Sequence, residues 1–193
     1  MKERIISEES FKKTNWSGGE TTQLVIYPED SVFSEKNFLF RISSATFTST
    51  ESQFSNFSGY QRYILPLEGI LSLKHDGLYS RNLTNYEAEY FDGSWTTFSQ
   101  NTLDCRDYNF IVKSGYAAKM RILKTPEQYE VKHASIVSLF SLNSFEVQIC
   151  NSIIKRKIDG FSLYLLETDG SEEETINITN LKSPIIITDF KKN

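Results

Sequence analysis

Histidine and cysteine are scarce in this chain: 193 residues hold two of each, His75 and His133, Cys105 and Cys150. Neither histidine has a second one two to five residues away, which argues against the imidazole-rich ligand sets of catalytic zinc and non-haem iron. No metal or other cofactor is therefore expected. The same scarcity argues against a Ser-His-Asp or Cys-His nucleophile, and there is no G-x-S-x-G run. His75, in the turn His75-Asp76-Gly77, reads as exposed. The two cysteines lie far apart with no C-x-x-C pair, as in a reducing compartment. No apolar run has the length of a signal peptide core or a membrane span, so a cytoplasmic protein without a membrane partner is expected. Basic excess is also lacking: 21 Lys and Arg stand against 25 Asp and Glu, a net charge of −4, which disfavours nucleic acid as a partner. Gly18-Gly19 lacks the rest of a phosphate-cradling fingerprint.

What the chain does have is apolar and aromatic surface, 39% hydrophobic and 13% aromatic with 14 Phe and 10 Tyr, too much for disorder and suited to sheet packing. Extended segments are predicted at 24–27, 38–45, 63–73, 108–113, 118–123, 145–150, 161–167 and 184–190. Turn signals such as Asp92-Gly93 and Asp169-Gly170 separate several of them, a sandwich or barrel pattern. Helical signals are weak: 125–129 is one candidate, and 133–142 reads as either a short helix or a strand. A faint echo links two halves. An apolar strand, a turn ending in Asp-Gly, a polar stretch (Asn82-Leu83-Thr84-Asn85, then Asn177-Ile178-Thr179-Asn180) and a strand ending in Phe91 or Phe190 recur in the same order, as in a duplicated β unit.

Polar residues are planted at alternating positions in greasy strands. In FLFRISSA, Phe38, Phe40 and Ile42 share one face while Leu39, Arg41 and Ser43 share the other; in DYNFIV, Tyr108, Phe110 and Val112 oppose Asp107, Asn109 and Ile111. Such a polar face is either the wet side of an antiparallel sheet or the lining of a barrel cavity. Arg62 and Glu68 bracket the strand YILPL and read either as a weak local ion pair or, if buried around a ligand, as its recognition groups. The stretch GETTQLVIYP, entering a strand through two glycines, a carboxylate and two hydroxyls, reads as a strand entry or a ligand-facing lip.

Several short motifs, in order, together resemble the HutD/Ves family, bacterial proteins associated with histidine utilisation and built as bicupins. They are Trp16 with Gly19-Glu20-Thr21, Phe40-Arg41-Ile42-Ser43, Phe54-Ser55-Asn56-Phe57-Ser58-Gly59, Arg62, Leu67-Glu68-Gly69, Phe91-Asp92 and Asp107-Tyr108-Asn109. The family pattern runs roughly W-x-N-G-G-G-x-T, W-R-x-S, F-S-x-F-P-G-x-x-R, L-E-G and D-F-N-x-M-x-R. Ser58 replaces its proline, the asparagine after the tryptophan is missing, and Lys113 stands where the family tends to have an arginine. The resemblance implies an all-β bicupin with few short helices: a first cupin-like barrel over 1–124 and a smaller second one over 125–193, packed tightly on the first, with shared strands left open. It implies ligand-binding residues Trp16, Thr21, Arg41, Ser43, Ser55, Arg62, Glu68, Asp107 and Asn109, although Thr21 reads equally as a turn cap. The expected function is binding, in a regulatory role, of a carboxylate-bearing metabolite such as a histidine-degradation intermediate. Arg41 and Arg62 would clamp the carboxylate, Glu68, Asp107 and Asn109 would meet amide or ring nitrogens, and Trp16 would form an apolar wall. The alternatives are a metal-independent isomerase or hydrolase using Glu68 or Asp107 as base, and a protein-interaction module. A homodimer is left open.

Overall fold

Aromatic and β-branched residues alternating with polar ones become strand through most of the chain. In the computed structural model, which describes residues 1–170 and 173–192, the chain divides into two compact units, Phe11–Gly115 and Met1–Ser10 with Tyr116–Asn193. The chain opens with β1 (Lys2–Ile6) and a 3-10 turn at Glu8–Ser10. The 11–115 unit follows: β2 (Lys12–Trp16), β3 (Gly19–Tyr27), β4 (Phe40–Phe47), β5 (Glu51–Gln53), β6 (Tyr60–Glu68), β7 (Leu71–His75), β8 (Tyr79–Leu83), β9 (Glu89–Asp92), β10 (Thr97–Asn101) and β11 (Arg106–Lys113). The other unit adds β12 (Ala118–Leu123), β13 (Glu127–Val131), β14 (Ser135–Ser141), β15 (Phe145–Ile149), β16 (Lys155–Ile158), β17 (Ser162–Glu167), β18 (Glu174–Thr179) and β19 (Ile185–Lys191).

Each unit is a pair of antiparallel sheets. In 11–115 the orders are β2-β3-β4-β11-β6-β9 and β5-β10-β7-β8; in the other unit they are β1-β17-β14-β19-β12 and β13-β18-β15-β16. The boundary expected at 124/125 therefore falls at 115/116, and the first ten residues join the C-terminal half. Pairing explains both shifts: β1 adds to β17 with Arg4 opposite Leu165, and β12 adds to β19 with Arg121 opposite Ile187. The segments weighed as helices are strands, β13 and β14, whose inward residues Tyr129, Val131, Val137 and Leu139 are buried. The single segment predicted at 63–73 is two strands, β6 and β7, broken at Gly69. There φ is +72°, and a Cβ would stand 2.8 Å from the Cys105 Cα, so a reversal that only glycine fits ends β6.

The internal echo is only partly structural. Asn82-Leu83 and Asn177-Ile178 both lie in a strand of a smaller sheet, and each is followed by a strand of a larger one, β9 or β19. The turn at His75-Asp76-Gly77, however, joins neighbours in one sheet, whereas Thr168-Asp169-Gly170 follows a strand of the five-stranded sheet and leads to β18 in the other. The two interiors also differ. The 116–193 unit is filled by one apolar cluster rich in branched side chains, Val137, Leu139, Val147, Ile176, Ile178 and Ile187 among them. The 11–115 unit has smaller clusters, around Ala45, Phe47, Ile64 and Leu73 and around Ile26, Phe38, Tyr60 and Ile111. Polar side chains share the remaining space.

Candidate functional site

Three adjacent strands of the six-stranded sheet, β4, β11 and β6, set this polar band. Arg41 lies opposite Ile111, which lies opposite Arg62; Ser43 lies opposite Asn109; Ala45 lies opposite Asp107. Residues opposite one another in register share a face, so Arg41, Ser43, Arg62, Asp107 and Asn109 all point to one side. On β3, Gln23 opposite Ser43 and Thr21 opposite Ala45 continue that face. The wet-sheet reading of these alternating polar residues is overturned: Arg41 is 7% exposed, Arg62 6%, Asp107 3%, and Ser43 and Asn109 are buried as well.

The band holds two hydrogen-bonded groups, one around Arg62 and one around Arg41. Arg62 Nη2 donates to Asn109 Oδ1 (2.9 Å), Asn109 Nδ2 donates to Asp107 Oδ2 (2.9 Å), and the Ala45 amide donates to Asp107 Oδ1 (2.8 Å). Arg41 donates from Nε to Gln23 Oε1 (2.8 Å) and from Nη1 to Ser43 Oγ (3.0 Å). Aromatic rings cover both guanidinium groups: Phe33 lies 4.1 Å from the Arg41 Cζ, and Phe54, Phe91 and Phe57 lie 4.5, 5.3 and 5.7 Å from that of Arg62. All side-chain partners of these arginines among the described residues are neutral, and Arg62 Nε is buried with no partner.

Electrostatics follow from burial. Desolvation lowers both arginines to about 10, against the opposing pull of Asp107, so both remain charged at neutral pH. Burial raises Asp107 to about 7, although the Ala45 amide, the arginines and Asn109 favour its ionised form. Two cations thus face one carboxyl group that is half neutral near physiological pH.

A second polar group lies on the same β-sandwich interior. His75, expected to be exposed in a turn, is the last residue of β7 and is 1% exposed. Its Nδ1 is 2.9 Å from Thr97 Oγ1, its register partner on β10, and its Nε2 is 4.0 Å from Glu89 Oε1. Glu89 accepts from Tyr79 Oη at 2.7 Å and is paired with Arg81 at 3.1 Å. Burial lowers the His75 pKa, with Glu89 acting in the opposite sense. Among the described residues, no group of three or more His, Cys, Asp or Glu side chains could hold a metal ion.

Of the residues expected at the site, Arg41, Ser43, Arg62, Asp107 and Asn109 come together, and Thr21 lies on the same face, half-buried. Trp16 is exposed and sets its ring edge-on to Phe47. Ser55 is exposed; the loop that carries it instead supplies Phe54 and Phe57 to Arg62. Glu68 is exposed and meets Arg106 at 3.3 Å, so the local Arg62–Glu68 pair does not form. Lys113 continues the alternation of Asp107 and Asn109 to the exposed end of β11. Gln23, Phe33, His75, Glu89 and Thr97 were missed. Gln23 alone carried a signal, its place in the strand following Gly-Glu-Thr. A groove of about 460 Å³ lies elsewhere, on the outward side of β5-β10-β7-β8, and none of the expected residues lines it.

Two double-sheet units with a polar band inside one of them define an all-β protein of the bicupin class. The chain belongs to the HutD family, whose model matches residues 8–179. It is similar in structure to the conserved protein of unknown function PA5104 from Pseudomonas aeruginosa PAO1 (TM-score 0.85, 19% identity) and to HutD from Pseudomonas fluorescens SBW25 (TM-score 0.81, 19% identity), each covered over 100% of both chains. The bacterial pirin YhhW from Escherichia coli, in complex with nickel(II), shares the fold at 10% identity and TM-score 0.64 over 97% of this chain and 98% of that one. No curated protein sequence matches the chain.

Proposed function

We propose that this chain binds a small carboxylate-bearing metabolite inside the 11–115 unit, in a regulatory rather than catalytic role. The observation that carries the reading is the pair of buried guanidinium groups bonded only to neutral side chains, with Arg62 Nε still unpartnered. Two buried cations with only Asp107, itself raised to about 7, to offset them are costly, and a planar carboxylate is the anion that a guanidinium fork fits. A histidine-degradation intermediate is the first metabolite to test because of the family's association with that pathway. Formate is the minimal probe, since the Pseudomonas fluorescens HutD structure is described as a formate condition. Calorimetry with formate, urocanate and formylglutamate should give saturable heat with at least one of them, lost in Arg62→Met. No heat from any of the three at millimolar concentration sinks the reading.

Asp107 favours a second reading, a metal-independent enzyme, because a buried carboxyl raised to about 7 is poised as a general base. Glu68, exposed and paired with Arg106, does not fit that role. Turnover of a metabolite panel that survives chelation and disappears in Asp107→Asn would establish it.

A further inference from the structure

We propose that His75 and Glu89 form a second subsite inside the 11–115 unit, one that accepts an amide or ring N–H carried by the same small carboxylate that Arg62 holds. The inference rests on the carboxylate reading and adds the other end of the ligand.

His75 Nε2 is buried without a hydrogen-bond partner. We assign His75 the Nδ1–H tautomer, in which the Thr97 hydroxyl sends its single proton to the Trp95 carbonyl 3.4 Å away and accepts from His75 Nδ1–H at 2.9 Å. Nε2 is then left with a bare lone pair. Glu89 Oε1, 4.0 Å away, is also an acceptor, and Tyr79 and Arg81 fix its carboxylate in place. Two acceptors cannot bond to each other. A single N–H group about 2.9 Å from each would be shared by both as a three-centre bond, and an NH2 group would give one hydrogen to each.

The surroundings suit a flat polar group. Phe91, Tyr79 and Trp95 hold their ring centres 4.7, 4.9 and 5.2 Å from that of the imidazole. Phe91 also lies against the Arg62 guanidinium, so the two subsites share a wall. Glu89 and Phe91 are two residues apart on one face of β9, a step of about 7 Å, and Phe91 is the register partner of Arg62. That step matches a ligand of three or four carbons. Orientation is set as well, because the Glu89 carboxylate repels a carboxylate end and leaves it to Arg62.

Succinamate and levulinate are the matched probes: both carry a carboxylate, two methylenes and a carbonyl, which ends in an amide NH2 in succinamate and in a methyl group of similar size in levulinate. Calorimetry on the wild type should show succinamate binding at least about ten-fold more tightly, the worth of one buried acceptor satisfied. His75→Phe keeps the aromatic packing and removes one of the two acceptors; in it the preference for succinamate should shrink at least about three-fold, to what Glu89 alone supplies, with levulinate unchanged. Equal binding to the wild type, or a preference undiminished in His75→Phe, overturns the subsite and leaves the carboxylate reading standing. Failure of both acids to bind the wild type, even in competition with formate, overturns the carboxylate reading and this inference with it. Should His75→Phe not fold, ring ¹⁵N spectra of the wild type decide. With only two histidines in the chain, the Nε2 resonance of His75 should move with succinamate and not with levulinate while exposed His133 stays fixed; equal movement with both acids overturns the subsite.

Discussion

Two buried guanidinium groups separate stability from function at the level of single residues. Arg62 donates a hydrogen bond to Asn109 and otherwise lies among phenylalanine rings. A methionine at that position fills similar volume and removes a buried charge, a change that is often neutral or stabilising, while Asn109 Oδ1 loses its donor at a cost of about 1–3 kcal/mol. Arg62→Met should therefore melt close to the wild type, within about 2 kcal/mol, and bind no carboxylate. Arg62→Lys should keep the charge and still bind at least about ten-fold more weakly, because an ammonium cannot reproduce the fork. Melting curves and titrations of the two variants check this; undiminished carboxylate binding in Arg62→Met would remove the residue from the site. The sequence pointed to Arg41, Ser43, Asp107 and Asn109 through their alternation, yet a period of two is identical for a face turned to water and a face turned inward. His75 was unreadable for a different reason. Asp76-Gly77 signals a turn, while the histidine's burial depends on Thr97, twenty-two residues away.

At the scale of elements, the strands were legible because Phe, Tyr, Ile and Val favour them wherever they cluster, and the breaks were legible at Asp-Gly turns, whereas the one at Gly69 inside 63–73 was not. Gly19, which opens β3, answers the oddity of the GETT stretch: a Cβ there would lie 2.0 Å from the Thr46 carbonyl oxygen, so the glycine lets β3 start against the end of β4. Gly69 is held the same way against Cys105, whereas Gly77 has φ of +72° with nothing within 4 Å of its missing Cβ. Gly77→Ala should cost only the left-handed backbone penalty, about 1–2 kcal/mol. Gly69→Ala, with the same φ, should cost clearly more, because backbone atoms must shift besides. Denaturant midpoints of the two variants measure the difference, and equal losses would show that the contact at Gly69 relaxes freely. The unit boundary was not legible, since it depends on which distant strand β1 and β12 join, and neither carries a local mark of its partner.

At the scale of the whole molecule, a net charge of −4 conceals a cationic interior. The exposed acidic residues are screened by salt, whereas Arg41, Arg62 and Asp107 are buried and much less so. Asp107 then makes global stability and ligand affinity respond to pH together. Its folded pKa, about 7, is raised above the unfolded carboxylate value of 3.8 by burial. Below the lower value both states are protonated and nothing is lost. Between the two, the unfolded chain ionises while the folded one holds its proton, so stability falls by roughly 1.36 kcal/mol per pH unit as pH rises, and the loss levels off above about 7. Measured as the difference between wild type and Asp107→Asn, which cancels the surface carboxylates, stability should therefore decline from about pH 4 to pH 7 and then flatten. Carboxylate affinity should fall over the upper part of that range, as a neutral Asp107 beside two cations becomes an anion competing with the ligand, and should stay level with pH in Asp107→Asn. A wild type whose stability rises with pH relative to the variant would mean that the arginines hold Asp107 ionised, and the interior would then offer a ligand one net positive charge instead of two.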